Sequence, residues 1–172
     1  MMTVKRPFSI GDRIIIGDVR GDVYDITLTH IYLDEVGAGI SSGEVTGRNI
    51  MVPNYLFFEQ NIINYTLNHD FVLSSLDVSI TYESDLDKAI EIIESVANKH
   101  LSELKEKHKE APYTRISMAE SSMIVSLKFY VPARQMMELK SKVTKEIYDL
   151  IKKEKKVEIA YPHTEVIFRN KK

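Results

Sequence analysis

The chain has 172 residues, 44% of them hydrophobic and 28% charged, a composition typical of one globular domain or two small ones. The absence of Cys excludes disulfides, thiolate catalysis and cysteine-ligated metal centres, and the formal net charge of −2 argues against a generally basic nucleic-acid binder. Apolar runs reach only three or four residues, whereas a membrane helix needs about 20, so neither a transmembrane segment nor a signal peptide is predicted.

Charge and glycine content divide the chain. Residues 1–70 hold five basic and nine acidic residues and all seven glycines, whereas residues 71–172 hold 18 basic and 16 acidic residues. We therefore predict three parts: residues 1–68, 69–161 and 162–172.

Short β-branched segments between glycines predict a small Sm-like or SH3-like β-barrel in the first part. The expected features, in order, are a strand over 12–16, a turn at Gly17-Asp18, a break at Gly21-Asp22, a strand-like run over 23–33, a flexible loop over 37–43, a strand over 44–52, a helical turn over 55–58 and extended chain over 62–65.

The second part alternates between periods of two and 3.6 residues, which predicts the β-α-β-β-α-β order of a ferredoxin-like domain. The expected elements are strand 76–82, helix 86–104, strands 114–118 and 123–131, helix 136–151 and strand 157–160. Ser84 is the expected N-cap of the first helix, and Pro132 suits the start of the second. Together the two parts predict an α+β protein.

A further strand is predicted after Tyr161-Pro162-His163. The ferredoxin-like sheet already has its four strands, so this segment has no partner within the chain and is expected to pair with another chain. Its residues are Thr164, Glu165, Val166, Ile167, Phe168 and Arg169.

The residues offer no specific catalytic constellation. Histidines 30, 69, 100, 108 and 163 lack metal-ligand spacing and are expected to be solvated surface residues. The carboxylates Asp22, Asp25, Asp34 and Glu35 are expected to serve ordinary turn chemistry, and Gly17-x-x-x-Gly21 lacks the Lys of a phosphate-binding loop. We therefore predict no catalytic residue, no metal site and no cofactor. The basic clusters at 152–156 and 169–172 are expected to be a solvated helix end and tail.

Several sequence motifs nevertheless resemble those of the small-conductance mechanosensitive ion channel family. They occur in that family's order and span residues 7–169. They are Pro7-Phe8-x-Ile10-Gly11-Asp12, Gly17-x-Val19-x-Gly21-x-Val23, Ile50-x-Val52-Pro53-Asn54, Asn61-x-Ile63-Asn64, Tyr82-Glu83-Ser84-Asp85-Leu86-Asp87 and Tyr161-Pro162-His163-Thr164-Glu165-Val166. The stretch from Asp34 to Gly47 is longer than the family's usual turn, and the family's membrane helices would precede Pro7.

The resemblance implies a vestibule beneath a tension-gated pore in the cell membrane, with this region cytoplasmic and itself soluble. It implies a homo-heptamer, attachment to the membrane through helices before Pro7, ions as the permeant species, and no enzymatic activity or nucleic-acid partner. Residues 164–169 of seven chains would close a small parallel barrel. The scaffold residues implied by the family motifs are Phe8, Gly11, Asp12, Gly17, Gly21, Pro53, Asn54, Asn61 and Asn64.

Two other functions fit the same predicted folds. One is a free-standing Sm-like module that binds RNA, against which the acidic first part argues. The other is a domain that senses a small molecule, for which the residues indicate no particular ligand.

Overall fold

The computed structural model describes residues 7–37, 43–108 and 110–161 and shows an α+β protein with two antiparallel sheets. The elements are β1 (Arg13–Ile16), β2 (Val19–Ile26), β3 (His30–Val36), β4 (Val45–Pro53), a 3-10 helix (Asn54–Phe58), β5 (Ile62–Asn64), β6 (Phe71–Ile80), α1 (Leu86–His108), β7 (Tyr113–Met118), β8 (Met123–Pro132) and α2 (Met136–Ile151).

Contacts between residues divide the described chain into two compact units. The first comprises residues 7–37, 43–74 and 130–141, and the second comprises 75–108, 110–129 and 142–161. The division crosses β6, β8 and α2, so the start of α2 belongs with the first unit.

A five-stranded sheet in the order β4-β3-β2-β1-β5 forms the first unit. The turn at Gly17-Asp18 sets the register of the first hairpin, in which Ile16 pairs with Val19 and Arg13 with Asp22. Alternate apolar side chains point to one side of the sheet and form its core: Phe8, Ile14, Ile16, Val23, Ile31, Leu33 and Val52. Burying each such side chain stabilises the fold by about 1.5–3 kcal/mol.

The strand pattern between residues 19 and 36 differs from the prediction. The expected break at Gly21-Asp22 is wrong, because β2 continues through both residues. The expected run from Val23 to Leu33 is instead divided by a turn, in which Thr27 N–H donates to the His30 carbonyl at 2.8 Å and its hydroxyl caps His30 N–H at 3.1 Å. A hydroxyl at this position stabilises the turn locally.

Gly21 lies in a strand because β3 passes very close to it. A Cβ added at Gly21 would come within 2.6 Å of the Asp34 carbonyl oxygen and 2.7 Å of Leu33 Cβ. Close approach of one backbone to another is the usual reason for a glycine inside a strand.

The second unit contains most of a three-stranded sheet in the order β6-β8-β7, all of α1 and most of α2. Strand β8 alternates between buried and half-buried positions, as predicted, and buries Val125, Leu127 and Phe129. The predicted strand 157–160 is reduced to a single antiparallel bridge between Ile80 and Ile159. Pro132 ends β8 rather than starting a helix, since α2 begins at Met136.

The cap of α1 lies one residue later than predicted. Asp85 Oδ1 accepts a hydrogen bond from Lys88 N–H at 3.0 Å, and the helix begins at Leu86. The Ser84 hydroxyl instead accepts from Glu158 N–H at 2.9 Å and contacts the Thr81 hydroxyl. The N-cap is therefore Asp85, and Ser84 joins the segment containing Glu158 to the chain before α1.

A polar contact links α1 to α2 within the second unit. Glu146 contacts Lys99 Nζ at 2.6 Å and His100 Nε2 at 2.5 Å. His100 is thus half-buried and paired, so the prediction of a solvated histidine is wrong for it; His69 is exposed as predicted. Hydrogen bonds from Lys99 and then His100 hold the pKa of the Glu146 carboxyl below its ordinary value.

We expect Gly21→Ala to lower the free energy of unfolding by about 3 kcal/mol, because the added methyl group has to displace the backbone of β3. Gly47→Ala is the matched control. Its Cβ would meet open space, so the only expected cost is the strain of a side chain at a positive φ of 79°, about 1 kcal/mol. Urea denaturation measures both, and equal losses in the two variants would contradict the steric explanation.

Glu146→Gln should remove a pH-dependent part of the stability. A carboxyl whose pKa is lowered by folding stabilises the native state above its unfolded pKa, and this stabilisation disappears as the pH falls through the lowered value. The variant should therefore be less stable than the parent chain at pH 7 and match it well below pH 4.5. Thermal melts from pH 3 to 7 measure this difference, and a constant difference over that range would contradict it.

Candidate functional site

A cluster of polar side chains, joined by hydrogen bonds and ion pairs, holds the first unit together. Among residues 7–37, 43–108 and 110–161, no group of three or more His, Asp or Glu side chains could hold a metal ion. The cluster is centred on Arg13, one of the few charged side chains that the first unit buries.

Arg13 lies at the start of β1 and directs its guanidinium into the unit rather than into solvent. Nε and Nη2 donate to the two carboxylate oxygens of Asp22 at 2.8 and 2.9 Å, which is a bidentate ion pair. Nη1 donates to the carbonyls of Gly43 at 3.0 Å and Ala133 at 3.3 Å. The side chains of Arg13 and Asp22 are only 6% and 16% exposed, so little water competes for these bonds.

Arg134 adds a second cation from the segment before α2. Its Nη2 donates to the Gly11 carbonyl at 2.6 Å, and its Nε lies 3.5 Å from Asp22 Oδ2. The neighbouring Ala133 N–H donates to the Asp70 carbonyl at 2.9 Å. The carboxylate of Asp22 therefore contacts two arginines, Arg13 and Arg134. The hydrogen bonds of these two arginines hold residues 133–134 within the first unit.

Asp12 and Asn64, two of the residues singled out by the family motifs, are brought together beside this cluster. Asp12 Oδ2 accepts from Asn64 Nδ2 at 2.8 Å and from Ser9 N–H at 2.9 Å. The Thr66 hydroxyl donates to Asp12 Oδ1 at 3.2 Å and accepts from Arg13 N–H at 3.0 Å. These bonds join the chain before β1 to the chain that follows β5.

Pro53 and Asn54 lie at the other end of the sheet, where β4 meets the 3-10 helix. Asn54 Nδ2 donates to the carbonyls of Thr27 at 3.0 Å and Leu28 at 2.9 Å, and Asn54 N–H donates to the Thr29 carbonyl at 2.9 Å. The amide of Asn54 therefore holds the turn between β2 and β3.

The remaining motif residues are spread over the unit rather than gathered at one site. Phe8 is buried and packs edge-to-face on Phe57, with ring centroids 5.1 Å apart. Gly11 has a φ of 95° and donates its N–H to the Val23 carbonyl at 2.7 Å. Gly17 has a φ of 55° and lies under the Gln60 side chain, and Asn61 is exposed before β5. Residues 164–169 lie outside the described residues.

Sequence reasoning missed Arg13 and Arg134 and assigned Asp22 to turn chemistry, which is wrong because Asp22 is the partner of both arginines. The signal for the first pair was present. In a hairpin with a two-residue turn at Gly17-Asp18, the residues before and after the turn form successive cross-strand pairs. Counted from the turn, the fourth pair is Arg13 with Asp22. No comparable signal connects Arg134 to Gly11, since 123 positions separate them.

Breaking the Arg13–Asp22 pair should destabilise the protein strongly. Arg13→Met and Asp22→Asn should each lower the free energy of unfolding by about 3–5 kcal/mol, because each leaves a buried polar group without its partner. The double variant should lose less than the sum of the two, by about 1–3 kcal/mol.

Arg48→Met is the control for this cycle. Arg48 also pairs with a carboxylate, that of Glu35, but its side chain is 69% exposed, and such pairs contribute less than about 1 kcal/mol. Urea unfolding measures all four variants. A loss for Arg13→Met as small as that for Arg48→Met would contradict the structural importance of the buried pair.

Comparison with known proteins links this architecture to one family. Residues 1–67 match the family model described as the β-domain of the mechanosensitive ion channel. A protein of Archaeoglobus fulgidus named as an MscS family protein is 26% identical over 166 residues, which cover 96% of this chain and 54% of the relative. The mechanosensitive channel MscK of Escherichia coli is 24% identical over 127 residues, 74% of this chain and 10% of the relative.

Solved structures share the fold. The closed-state crystal structure of Helicobacter pylori MscS superposes with a TM-score of 0.75 at 19% identity, covering 96% of this chain and 60% of that one. The cryo-EM structure of Arabidopsis thaliana MSL1 gives 0.57 at 23% identity, with 91% and 54% covered.

The chain thus spans about half the length of its Archaeoglobus relative, and no helix among the described residues is long and apolar enough to cross a membrane. The relatives that carry a functional name are mechanosensitive channels rather than enzymes. Residues 1–67 are thus similar to the β-domain of mechanosensitive ion channels, and nearly the whole chain is similar to a protein named as an MscS family member and shares the fold of an MscS structure.

Proposed function

We propose that this chain is the cytoplasmic region of a mechanosensitive ion channel, where it scaffolds an oligomeric vestibule below a tension-gated pore. The observation that carries the proposal is the alignment of 96% of the chain with an MscS family protein. The polar cluster supports it, because Arg13, Asp22 and Asp12 are fully engaged in holding the backbone together. Such engagement suits a scaffold better than a catalyst.

The domain organisation of the proposal follows the sequence prediction. Residues 1–68 form the Sm-like β domain, for which the sheet order β4-β3-β2-β1-β5 is supporting evidence. Residues 69–161 form a ferredoxin-like domain, supported by the order β6-α1-β7-β8-α2 and by the bridge from Ile80 to Ile159. Residues 162–172 supply the strand, Thr164 to Arg169, of a barrel shared by seven chains.

The edges of the first sheet support assembly into a ring. Strands β4 and β5 occupy its two edges, so each has one side without a strand neighbour among the described residues. Unpaired edges accept strands from other chains, and two different edges on each subunit suit a cyclic arrangement. We therefore propose a homo-heptamer attached to the membrane through helices before Pro7, with ions as the permeant species and without a cofactor or nucleic-acid partner.

In this scaffold the motif residues hold segments of the backbone in place. Asp12 and Asn64 join the entry and exit of the sheet, Asn54 holds the turn between β2 and β3, and Gly21 allows β2 and β3 to lie close together. Gly11 and Gly17 supply left-handed backbone, where side chains are strained. A rigid ring of such units would keep the vestibule open while the pore helices respond to tension.

Assembly of the purified chain tests the proposal. Native mass spectrometry at increasing concentration should show a heptamer, and deletion of residues 164–172 should shift the population toward smaller species, because the shared barrel is lost. Deletion of residues 170–172 alone is the matched control and should leave the heptamer intact. A chain that stays monomeric at high concentration, with or without the deletion, would contradict assembly driven by this region.

The full-length protein tests the channel function separately. Its expression in spheroplasts that lack other mechanosensitive channels should give currents activated by membrane tension. Protein that reaches the membrane yet gives no such current would overturn the channel assignment whatever the oligomeric state of this region.

A further inference from the structure

Strand β6 lies at one edge of the three-stranded sheet, with β8 as its one strand neighbour among the described residues. A single antiparallel bridge joins Ile80, the last residue of β6, to Ile159. From that bridge back to Phe71, no strand lies beside the outer edge in the part of the chain that the structure describes. An edge of this length offers backbone N–H and C=O groups to a further strand.

The bridge directs the chain along this edge. Ala160 N–H donates to the Ser79 carbonyl at 2.9 Å, and Thr81 N–H donates to the Glu158 carbonyl at 3.0 Å. Because the pairing is antiparallel, each residue that continues it after Ala160 comes one residue closer to the start of β6. The chain that follows the bridge is therefore aligned to extend the pairing.

An apolar groove lies beside the same edge, between β6 and α2 in the second unit. Its volume is about 170 Å³, and its apolar lining includes Leu76, Val78, Ile147, Ile151 and Ile159. Since Ile159 belongs both to the lining and to the bridge, the chain passes the groove as it leaves the bridge. A strand laid along β6 would remove part of this apolar surface from water.

Eleven residues follow Tyr161, and their length and composition match the edge of β6. We call these residues, 162–172, the tail; they lie outside the described residues. In the register set by Ile80 and Ile159, the tail reaches the start of β6 and places like beside like, or opposite charges together, in four successive pairs. The pairs are Val166 with Leu73, Ile167 with Val72, Phe168 with Phe71 and Arg169 with Asp70. Cross-strand pairs of these kinds stabilise a sheet.

The residues of β6 that would receive the tail have apolar and acidic surface to offer. Leu73 is 49% exposed, and Val72 and Phe71 are half-buried. Asp70 is exposed, and its carbonyl accepts from Ala133 N–H at 2.9 Å, which holds the backbone in place at this end. Pairing would therefore cover apolar side chains and bring a cation to a carboxylate.

Pro162 limits the strength of this pairing. In the same register Pro162 falls opposite Asp77, where an antiparallel ladder that includes the Ala160–Ser79 bond calls for the next N–H donor. Proline has no N–H, so the ladder would contain one gap. A strand attached through an interrupted ladder is released more readily than one attached through a continuous ladder.

We propose that residues 163–169 pair with the outer edge of β6 in a subunit outside the ring, and that they leave this edge when the shared barrel forms. The second part of the inference rests on the proposed function, in which Thr164 to Arg169 supply the barrel strand. The tail then has two alternative partners, its own β6 and the tails of neighbouring subunits. Assembly requires the exchange of one partner for the other.

The absence of Cys from the chain permits a direct test. In the full chain, Leu73→Cys with Val166→Cys places two thiols at directly paired positions. The Cα atoms of such a pair lie about 5.5 Å apart, which a disulfide can span. Oxidation at low protein concentration should join the two residues within one chain, as measured by non-reducing electrophoresis and peptide mass mapping.

Leu73→Cys with Ile167→Cys is the matched control. Neighbouring residues of a strand point to opposite faces, so this pair should form the disulfide at least about tenfold more slowly. Circular dichroism verifies that every variant remains folded.

Charge and backbone variants test the register. Arg169→Glu, added to the paired cysteines, should reduce disulfide formation in a fixed glutathione buffer by about threefold, because like charges then lie opposite each other. Asp70→Lys in that chain should restore it. Pro162→Ala should increase it, because the ladder gains the missing donor.

The disulfides decide the pairing with β6. Equal disulfide formation in the two cysteine pairs, or none in either, would overturn it. Disulfides between chains would assign the edge of β6 to the tail of a second copy and would overturn pairing within the chain.

Native mass spectrometry of the paired cysteine variant tests the exchange. The oxidised chain should stay monomeric and the reduced chain should form the heptamer. An oxidised chain that still forms the heptamer would overturn the exchange. A reduced chain that stays monomeric, although its disulfide forms on oxidation, would contradict the proposed heptamer and leave the pairing with β6 standing.

Discussion

The buried guanidinium of Arg13 is the constraint on which the first unit depends. A cation removed from water is tolerated only where each of its N–H groups finds an acceptor. Here the acceptors come from separate parts of the chain: both oxygens of Asp22 on β2, the Gly43 carbonyl before β4 and the Ala133 carbonyl before α2. An apolar side chain could fill the same space, but it would not require these particular partners.

The other polar residues of the unit act in the same way. Asp12 and Asn64 satisfy backbone donors where the chain enters and leaves the sheet, and Asn54 satisfies backbone acceptors at the opposite end. The apolar alternation of the strands defines which face is the core, whereas these polar contacts define where the loops lie.

Features that depend on neighbouring residues were predictable from the sequence. The alternation in β8, the periodicity of both long helices and the turn at Gly17-Asp18 all appear as expected. Errors arose where two adjacent residues could do the same work, as Ser84 and Asp85 can at the start of α1. They also arose where a contact is distant in sequence: Arg134 reaches Gly11 only because the chain before α2 returns to the first unit, and His100 meets Glu146 only because α1 and α2 pack together.

The backbone and hydrogen-bond geometry at the end of β4 explains why a proline and then an asparagine stand there. Pro53 pairs with His30 on an edge strand, where the lost N–H removes no hydrogen bond to a further strand among the described residues. Asn54 faces two carbonyl oxygens with its Nδ2, and an NH₂ group is the part of a short side chain that can donate to both. An Asp of the same shape would bring a negative charge against those carbonyls. The Oδ1 of Asn54 is buried without a partner among the described residues, so the site accepts an unsatisfied oxygen in order to hold the turn. The carboxamide of Asn54 therefore acts together with its own backbone N–H and with Thr27 to fix the position of Leu28 at this end of the sheet.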